Sequence, residues 1–220
     1  MCMNRCRTFW CISFFVALFF TFALHVEAAL IYKYDYESGT FDDLGLNNCL
    51  NPTRCWIITN PVRFGAYAQK ATVNSDTNPS GNMHSVVLRP SLFPALFQGT
   101  ERWMGFSVYV PTDYFFDSDV GNNGQIIFQA HSVPDVCDFP GLSPGFSIAI
   151  SPQGTWSQQT CWDENACSIT NCANKERRNL GLVQRGKWTD FVVNLIPTHQ
   201  STGKIGVWVD GVNKVNYTGL

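Results

Sequence analysis

The stretch Gln125-Ile-Ile-Phe-Gln-Ala-His131, followed by Ser132-Val-Pro134, organises the interpretation of the whole chain. As a strand with a two-residue repeat, it predicts a core face that consists of Ile126, Phe128 and Ala130. The opposite face would carry Gln125, Ile127, Gln129 and His131. Because buried amides and imidazoles need hydrogen-bond partners, this face predicts either a solvent-exposed polar surface or a ligand site.

Short strands separated by turns predict an all-β fold on both sides of this stretch. Alternating apolar residues indicate strands at 102–110, 146–150, 188–196 and 205–209, and Asp210-Gly211 is typical of a hairpin turn. Weaker strand patterns precede them at 30–36, 56–58, 64–67 and 83–88. Since no stretch has a long helical period, we predict a β-jelly roll or concanavalin A-like sandwich.

Two parts of the chain do not fit this simple alternation. Residues 152–180 have no clear period, and we interpret them as a long excursion held by disulfides. Their basic patch, Lys175-Glu-Arg-Arg178, is more typical of a solvated loop than of a ligand site. The chain ends just after its last hairpin has begun, which indicates that the sequence is C-terminally incomplete.

Length and composition predict one domain behind a signal peptide. With 220 residues and 45% hydrophobic content, the chain is large enough for one substantial core. Arg5 and Arg7 precede an apolar run from Phe14 to Leu24, and the small residues before Ala29 predict cleavage there. An uncleaved anchor is the alternative, but the run is shorter than the roughly 20 residues of a spanning helix. We therefore expect a signal peptide at 1–28, a sandwich domain at 29–220 and secretion to the extracellular space.

The charge of the predicted mature chain argues against general polyanion binding. Removing Arg5, Arg7 and Glu27 leaves 13 basic against 16 acidic side chains, a net charge of −3. Such a chain has no overall attraction for nucleic acid. We expect a monomer that binds neither nucleic acid nor, once the signal peptide is removed, a membrane.

Six cysteines lie outside the signal region, and an even number in an exported chain predicts disulfides. They are Cys49, Cys55, Cys137, Cys161, Cys167 and Cys172. Zinc binding is the alternative, but the chain has no Cys-x-x-Cys motif. We predict a bond between Cys49 and Cys55, while the other four can pair in more than one way. The sequon Asn216-Tyr217-Thr218 predicts N-glycosylation at Asn216.

The order of four motifs resembles the jelly-roll polysaccharide lyases, the group that contains glucuronan lyases, heparin lyase I and, more distantly, one class of alginate lyases. The motifs are Trp103-Met-Gly-Phe-Ser-Val-Tyr-Val-Pro111, Gln125-Ile-Ile-Phe-Gln-Ala-His-Ser-Val-Pro-Asp135, Gly186-Lys-Trp-Thr-Asp-Phe-Val-Val-Asn194 and Gly206-Val-Trp-Val-Asp-Gly211. Tyr36-Glu-Ser-Gly39 is a looser match. The resemblance implies a curved sandwich whose concave sheet forms an open cleft for an anionic sugar chain.

The resemblance also implies cleavage of a uronic-acid polysaccharide by β-elimination. The C5 proton of a uronate can be removed only when its carboxylate is neutralised, which requires amide, Arg or protonated donors. A base then takes the proton, and an acid protonates the leaving O4. We predict Gln125 or Gln129 as neutraliser and His131 as base or second neutraliser. The predicted substrate-binding residues are Asn194, Trp208, Trp103, Tyr109 and His84.

Two positions depart from the pattern of this family. Its members usually carry an Arg and a Glu upstream of the Trp103 strand, where this chain has His84-Ser-Val-Val-Leu-Arg89 and no acidic counterpart. A late Lys-x-Gly-x-Tyr pattern, which supplies the family's catalytic Tyr, does not occur before Leu220. The alternative function is therefore a non-catalytic, lectin-like carbohydrate-binding protein.

Other kinds of site fit the sequence less well. A glycoside hydrolase on such a sandwich needs paired carboxylates on one strand, and the chain has no Glu-x-Asp-x-x-Glu motif. Asp117 and Asp119 offer oxygen ligands for a structural Ca²⁺, although a solvated turn suits their spacing better. Heparin would favour several basic side chains in the cleft, and no predicted strand is basic. We therefore expect glucuronan or alginate as the substrate.

Overall fold

The computed structural model describes residues 29–30, 33–41, 54–72, 96, 98–116, 124–131, 144–162, 172–198 and 201–219. These ranges contain ten β-strands: β1 (Cys55–Ile58), β2 (Ala68–Ala71), β3 (Arg102–Val110), β4 (Gln125–Ala130), β5 (Phe146–Ile150), β6 (Thr155–Trp162), β7 (Asn174–Leu182), β8 (Lys187–Ile196), β9 (Lys204–Val209) and β10 (Val212–Thr218). None of the described residues belongs to a helix long and apolar enough to cross a membrane. The predicted signal peptide lies outside the described ranges.

Eight of the described strands form two four-stranded antiparallel sheets. In sheet I the neighbours are β10-β9-β8-β3, and in sheet II they are β4-β5-β6-β7. β1 and β2 form a separate two-stranded hairpin. In sheet I, β3 and β8 are distant in the chain but pair along their whole length, from Arg102 opposite Leu195 to Val110 opposite Lys187.

The hydrophobic core lies between the inner faces of the two sheets. Phe106 of sheet I stacks on its neighbour Phe191 at 5.1 Å between ring centroids and on Phe128 of sheet II at 4.9 Å. Trp156 of sheet II meets Phe191 edge-on at 5.0 Å. Burial of each such side chain contributes about 1.5–3 kcal/mol relative to exposure. The prediction of an all-β sandwich is confirmed.

The strongest strand predictions agree with the structure. Those at 102–110, 146–150, 188–196 and 205–209 match β3, β5, β8 and β9 within one residue at either end. β10 pairs with β9, so the hairpin predicted at Asp210-Gly211 has both of its strands. The predictions at 30–36 and 64–67 were wrong in the described parts, because 33–36 is irregular and the second strand begins only at Ala68. The prediction at 83–88 lies outside the described residues.

β4 does not keep the predicted two-residue repeat, because a β-bulge interrupts its pairing with β5 between Ile126 and Phe128. Ile126 is 39% exposed, whereas Ile127 packs with Phe128 against the core. Gln125 lies opposite Ile150 and Gln129 opposite Ser147, which are on different faces of β5. The prediction that Gln125, Ile127 and Gln129 share a face was therefore wrong, since the extra residue of a bulge changes the phase of the strand.

Gly124 fixes the start of β4. Its φ is +65°, a conformation that favours glycine, and a Cβ here would lie 2.2 Å from the carbonyl oxygen of Ile150. The close approach of the two backbones therefore requires glycine at this position.

The described parts of 152–180 form two paired strands, β6 and β7, and not an irregular excursion. The two strands pair from Thr155 opposite Leu182 to Trp162 opposite Asn174. The disulfide Cys161–Cys172 joins β6 to a residue two positions before the start of β7. Lys175-Glu-Arg-Arg178 accordingly lies in β7 and not in a solvated loop. The prediction of a loop was wrong because it relied on apolar alternation, which β6 and β7 lack.

Polar side chains replace that alternation on the inner face of β6. Gln158 is fully buried and donates from Nε2 to Thr160 Oγ1 at 2.7 Å. Arg178 of β7 donates from Nη1 to Gln158 Oε1 at 3.0 Å, and its guanidinium lies 5.1 Å from the ring centroid of Tyr217. These partners satisfy the buried polar groups and make a polar inner face tolerable.

Candidate active site

A row of polar side chains crosses all four described strands of sheet II. Gln129 of β4 lies opposite Ser147 of β5, Ser147 opposite Gln159 of β6, and Gln159 opposite Arg177 of β7. Paired residues of antiparallel strands share a face, and strands are about 4.8 Å apart, so this polar row is about 14 Å long.

The polar row lies on the outer face of sheet II, which points away from sheet I. In β5 the side chains of Phe146, Ile148 and Ile150 belong to the core, so the alternating Ser147 and Ala149 face outward. Both are buried, with 3% and 4% exposure. Gln129 of β4 and Gln159 of β6 flank Ser147 with longer side chains.

His131 joins the polar row at its β4 end. It follows β4 directly and is exposed, as is Gln129. Continuing the extended chain by two residues puts both side chains on the outer face, with their Cα atoms about 7 Å apart. This geometry predicts that two of the three predicted catalytic residues lie on one face.

Arg177 at the other end of the row is held by a neighbour. Its Nε donates to Gln159 Oε1 at 2.9 Å, and Gln159 Nε2 donates to Cys161 Sγ at 3.4 Å. Cys161 is bonded to Cys172, two residues before β7 begins. The guanidinium is therefore oriented by side chains of a covalently linked hairpin.

The outward positions of β7 are basic or neutral. Lys175, Arg177 and Asn179 alternate with the inward Glu176 and Arg178, as their partners on β6 show. Among the described strand residues that face outward on sheet II, none is a carboxylate. This face favours an anionic ligand. It also corrects the expectation that no strand is basic.

Four predicted substrate-binding residues lie elsewhere, on the outer face of sheet I: Trp103, Tyr109, Asn194 and Trp208. The core separates them from the polar row, so the structure does not bring them to Gln129 and His131. Trp103 and Trp208 pack with ring centroids 5.3 Å apart, and Tyr109 lies 5.5 Å from Trp188. The sequence-based prediction of one shared cleft was therefore wrong for these residues, since they belong to the other sheet.

The side chain of Asn194 forms a hydrogen bond within the protein on sheet I. Its side chain is buried, and its Nδ2 donates to Glu101 Oε1 at 2.9 Å. That hydrogen bond, together with Lys204 at 3.5 Å, lowers the pKa of the Glu101 carboxyl. The amide of Asn194 thus stabilises a charge within the protein itself.

Asp190, also on the outer face of sheet I, is held by two partners. Arg63, from the segment between β1 and β2, donates from Nη2 to Oδ2 at 2.7 Å and from Nε to Oδ1 at 3.0 Å. The Ser107 hydroxyl donates to Oδ1 at 2.6 Å. The hydrogen bonds from Arg63 and then Ser107 lower the pKa of Asp190. This carboxylate therefore fastens the β1–β2 hairpin to the sheet.

Gln125 faces the inner side of β4, where its Oε1 accepts a hydrogen bond from the Tyr114 hydroxyl. Cys55 is disulfide-bonded, but its predicted partner Cys49 lies outside the described residues. Also outside them are His84, Asp117, Asp119, Cys137 and Cys167. Their roles, including a structural Ca²⁺ site, stay predictions. Asn216 is exposed on β10, and its glycosylation stays a prediction.

Sequence reasoning missed Ser147, Gln159 and Arg177 as members of the site. One signal for Arg177 was present, because Lys175, Arg177 and Asn179 recur with the two-residue period of a strand. Nothing in the local pattern distinguishes their face from that of Glu176 and Arg178. Only the pairing of β7 with β6 makes that distinction.

Comparison with known proteins gives two matches. The crystal structure of endo-beta-1,4-glucuronan lyase from the fungus Trichoderma reesei is similar, with a TM-score of 0.56 and 21% sequence identity over 79% of this chain and 72% of that chain. At this identity the likeness shows the fold. No curated protein gives a significant match. The family model for polysaccharide lyases matches residues 33–220, and the chain therefore belongs to the polysaccharide lyase family.

Proposed function

We propose that this polysaccharide lyase cleaves an anionic uronic-acid polysaccharide by β-elimination on the outer face of sheet II. The observation that carries the proposal is that Gln129, two residues before His131, faces outward on a sheet whose described outward strand positions include no carboxylate. A polyanion approaching this face meets amides, an imidazole and two basic side chains. The outer face of sheet I, by contrast, carries Glu101 and Asp190.

The proposed reaction assigns one role to each of the two residues. Gln129 donates its amide N–H groups to the uronate carboxylate and stabilises the enolate-like charge that develops there. His131, as neutral imidazole, takes the C5 proton. The C5–H electron pair forms the C4=C5 double bond, the C4–O4 bond breaks, and O4 leaves with a proton from an acid that we do not assign. Gln125 supports the strand from its inner side and is left out of this machinery.

The charge pattern favours glucuronan or alginate over heparin. On the outer face of sheet II, Lys175 and Arg177 are the basic residues among the described strand positions. Two cations suit isolated carboxylates better than the dense sulfates of heparin. The fold of a solved glucuronan lyase provides independent support for this substrate class.

Secretion is part of the same proposal. The Cys161–Cys172 disulfide and the bonded state of Cys55 are typical of proteins that fold in an oxidising compartment. The predicted signal peptide at 1–28 and the sequon at Asn216 agree with an extracellular enzyme.

Ultraviolet absorbance tests the reaction, because elimination leaves a conjugated, unsaturated uronate at the new chain end. The secreted protein is incubated in turn with glucuronan, alginate, hyaluronan and heparin. We expect absorbance to rise with glucuronan or alginate, and the rate to fall about 100-fold or more in His131→Ala, the usual contribution of a general base. A rise with heparin alone would overturn the substrate assignment. If no polymer gives a rise but one is bound, the lectin-like function replaces the lyase.

A further inference from the structure

We propose that an N-glycan on Asn216 packs its first N-acetylglucosamine against the tryptophan pair, Trp103 and Trp208, on the outer face of sheet I. The glycan is then a structural part of this face and stabilises the fold. The inference is separate from the proposed reaction, but it rests on the proposed secretion, because N-glycans are added to exported chains.

The side chains of the sequon point away from the core. Val215 of β10 belongs to the core, and Tyr217 packs against it. The alternating Asn216 and Thr218 therefore face outward, and both are exposed. A glycan on Asn216 thus emerges over the outer face of sheet I and displaces nothing from the core.

The ring of Trp208 lies over the cross-strand neighbour of Asn216. That neighbour is Gly206, and a Cβ added to it would lie 2.7 Å from the Cη2 and Cζ3 atoms of the Trp208 ring. Opposite residues of an antiparallel pair have their Cβ atoms about 5 Å apart, so the ring edge lies within about 8 Å of the Asn216 Cβ. A sugar on Nδ2 begins a few bonds beyond that Cβ and reaches the indole with its own ring.

The tryptophan pair is an ordered and partly open apolar surface. The ring centroids of Trp103 and Trp208 are 5.3 Å apart, and Lys204 Nζ lies 5.8 Å from the Trp103 centroid. With these contacts in place, Trp103 is still 57% exposed, and Val192, opposite Trp208, is 39% exposed. Exposed apolar patches mark binding surfaces. The C–H face of a pyranose suits this one, because it packs on an indole through apolar contact.

Charge favours a neutral occupant of this surface over the polymer substrate. Glu101 and Asp190 lie on the outer face of sheet I, and each already has partners in the protein. A uronate chain on the tryptophan pair would bring further carboxylates towards them. N-acetylglucosamine is uncharged. Its covalent link also gives it an effective concentration of about the mM range, at which a weak contact is populated.

Thermal unfolding tests the contact on protein secreted from a eukaryotic host and trimmed by an endoglycosidase to one N-acetylglucosamine. Relative to Asn216→Gln, we expect its Tm to be about 2–4 °C higher, the size of one aromatic contact in a domain of this size. Trp208→Leu in both forms should abolish this difference. Trp188→Leu is the matched control and should preserve it. Trp188 is likewise half-buried on this face and packs on Tyr109 at 5.5 Å, but it lies at the other end of β8 from Asn194.

Proton magnetic resonance tests the same contact without relying on the stability of a variant. Sugar protons that lie over an indole shift upfield, and nuclear Overhauser effects should join them to ring protons of Trp208 or Trp103. Absence of these effects, or an equal gain in Tm in Trp208→Leu, would overturn the packing. A secreted wild type without the added mass of a glycan would overturn the modification itself.

Failure of this inference is distinguishable from failure of the proposed function. If the glycan makes no contact while His131→Ala abolishes turnover, the packing is wrong and the lyase assignment stands. If the wild type shows no turnover but its sugar protons contact the tryptophan pair, the packing stands and the reaction is wrong.

Discussion

The outer faces of the two sheets carry similar kinds of side chain in different arrangements. On sheet I, carboxylates meet partners from the same protein: Asp190 accepts from Arg63 and Ser107, and Glu101 accepts from Asn194. On sheet II, the described outward strand positions carry amides, hydroxyls and cations but no carboxylate. The difference teaches that amides and charges on sheet I serve the fold, because side chains of the same protein satisfy them there, whereas those on sheet II are the ones that we propose meet the substrate.

The side-chain amides of Gln129 on sheet II and Asn194 on sheet I give the largest expected difference between the two faces. Gln129→Ala should lower kcat/KM about 100-fold or more, because it removes a donor to the developing charge. Asn194→Ala should instead lower the free energy of unfolding by about 1–3 kcal/mol, because it removes a buried bond to a carboxylate. Steady-state kinetics and urea unfolding measure both. A stably folded Asn194→Ala protein without turnover would break the comparison.

The next largest effect is expected from removing the Cys161–Cys172 disulfide of sheet II. Replacing both Cys161 and Cys172 by serine opens a link between residues 11 apart in sequence. We expect a loss of about 2–3 kcal/mol in unfolding free energy, the usual contribution of a closed loop of this size. Urea unfolding of the double variant and the wild type measures this loss. An unchanged unfolding free energy would show that the link does not stabilise sheet II.

The Arg63–Asp190 pair on sheet I gives a smaller, pH-dependent effect. Since the folded pKa of Asp190 is lowered, its stabilisation is present above the unfolded pKa and is lost as pH falls through the folded pKa. The pair is largely solvent-exposed, so Arg63→Ala should cost less than about 1 kcal/mol at neutral pH. Urea unfolding over a pH series should show this difference vanish in acid. A difference that persists there would exclude Asp190 as its source.

Removal of the predicted glycan should have no effect on catalysis. Asn216 lies opposite Gly206 on sheet I, in the row that continues through Asn194 to Trp103. A glycan at Asn216 therefore lies on the face opposite the polar row. Asn216→Gln should shift the mass of the secreted protein and leave lyase kinetics unchanged. Slower turnover in this variant would place substrate on sheet I.

The strands that could be predicted from the sequence are those in which apolar and polar residues alternate. β3, β8 and β9 each place aliphatic or aromatic side chains on alternate positions of the inner face, so their period is visible locally. β6 and β7 remained hidden because Gln158, Thr160 and Arg178 occupy inner positions and satisfy one another there. A buried polar network of this kind has no apolar period to detect.

The site was predictable only within single strands. Gln129 and His131 lie two residues apart, so their common face follows from local geometry. The assignment of Trp103 and Asn194 to the same cleft required knowledge of which strands share a sheet. That knowledge comes from the pairing of β3 with β8, which are distant in the chain. The polar row has the same origin, since its four members come from four strands.

The bulge in β4 has a consequence for the insertions and deletions that this gene can tolerate. Ile126 lies opposite Ala149 and Phe128 opposite Ile148, so deleting Ile127 would leave a regular ladder with the same partners on both sides. Gly124 would stay beside Ile150, and Gln129 would stay opposite Ser147. The deletion would remove only the packing of Ile127 against the core. A change of one residue in chain length is therefore best tolerated at the bulge.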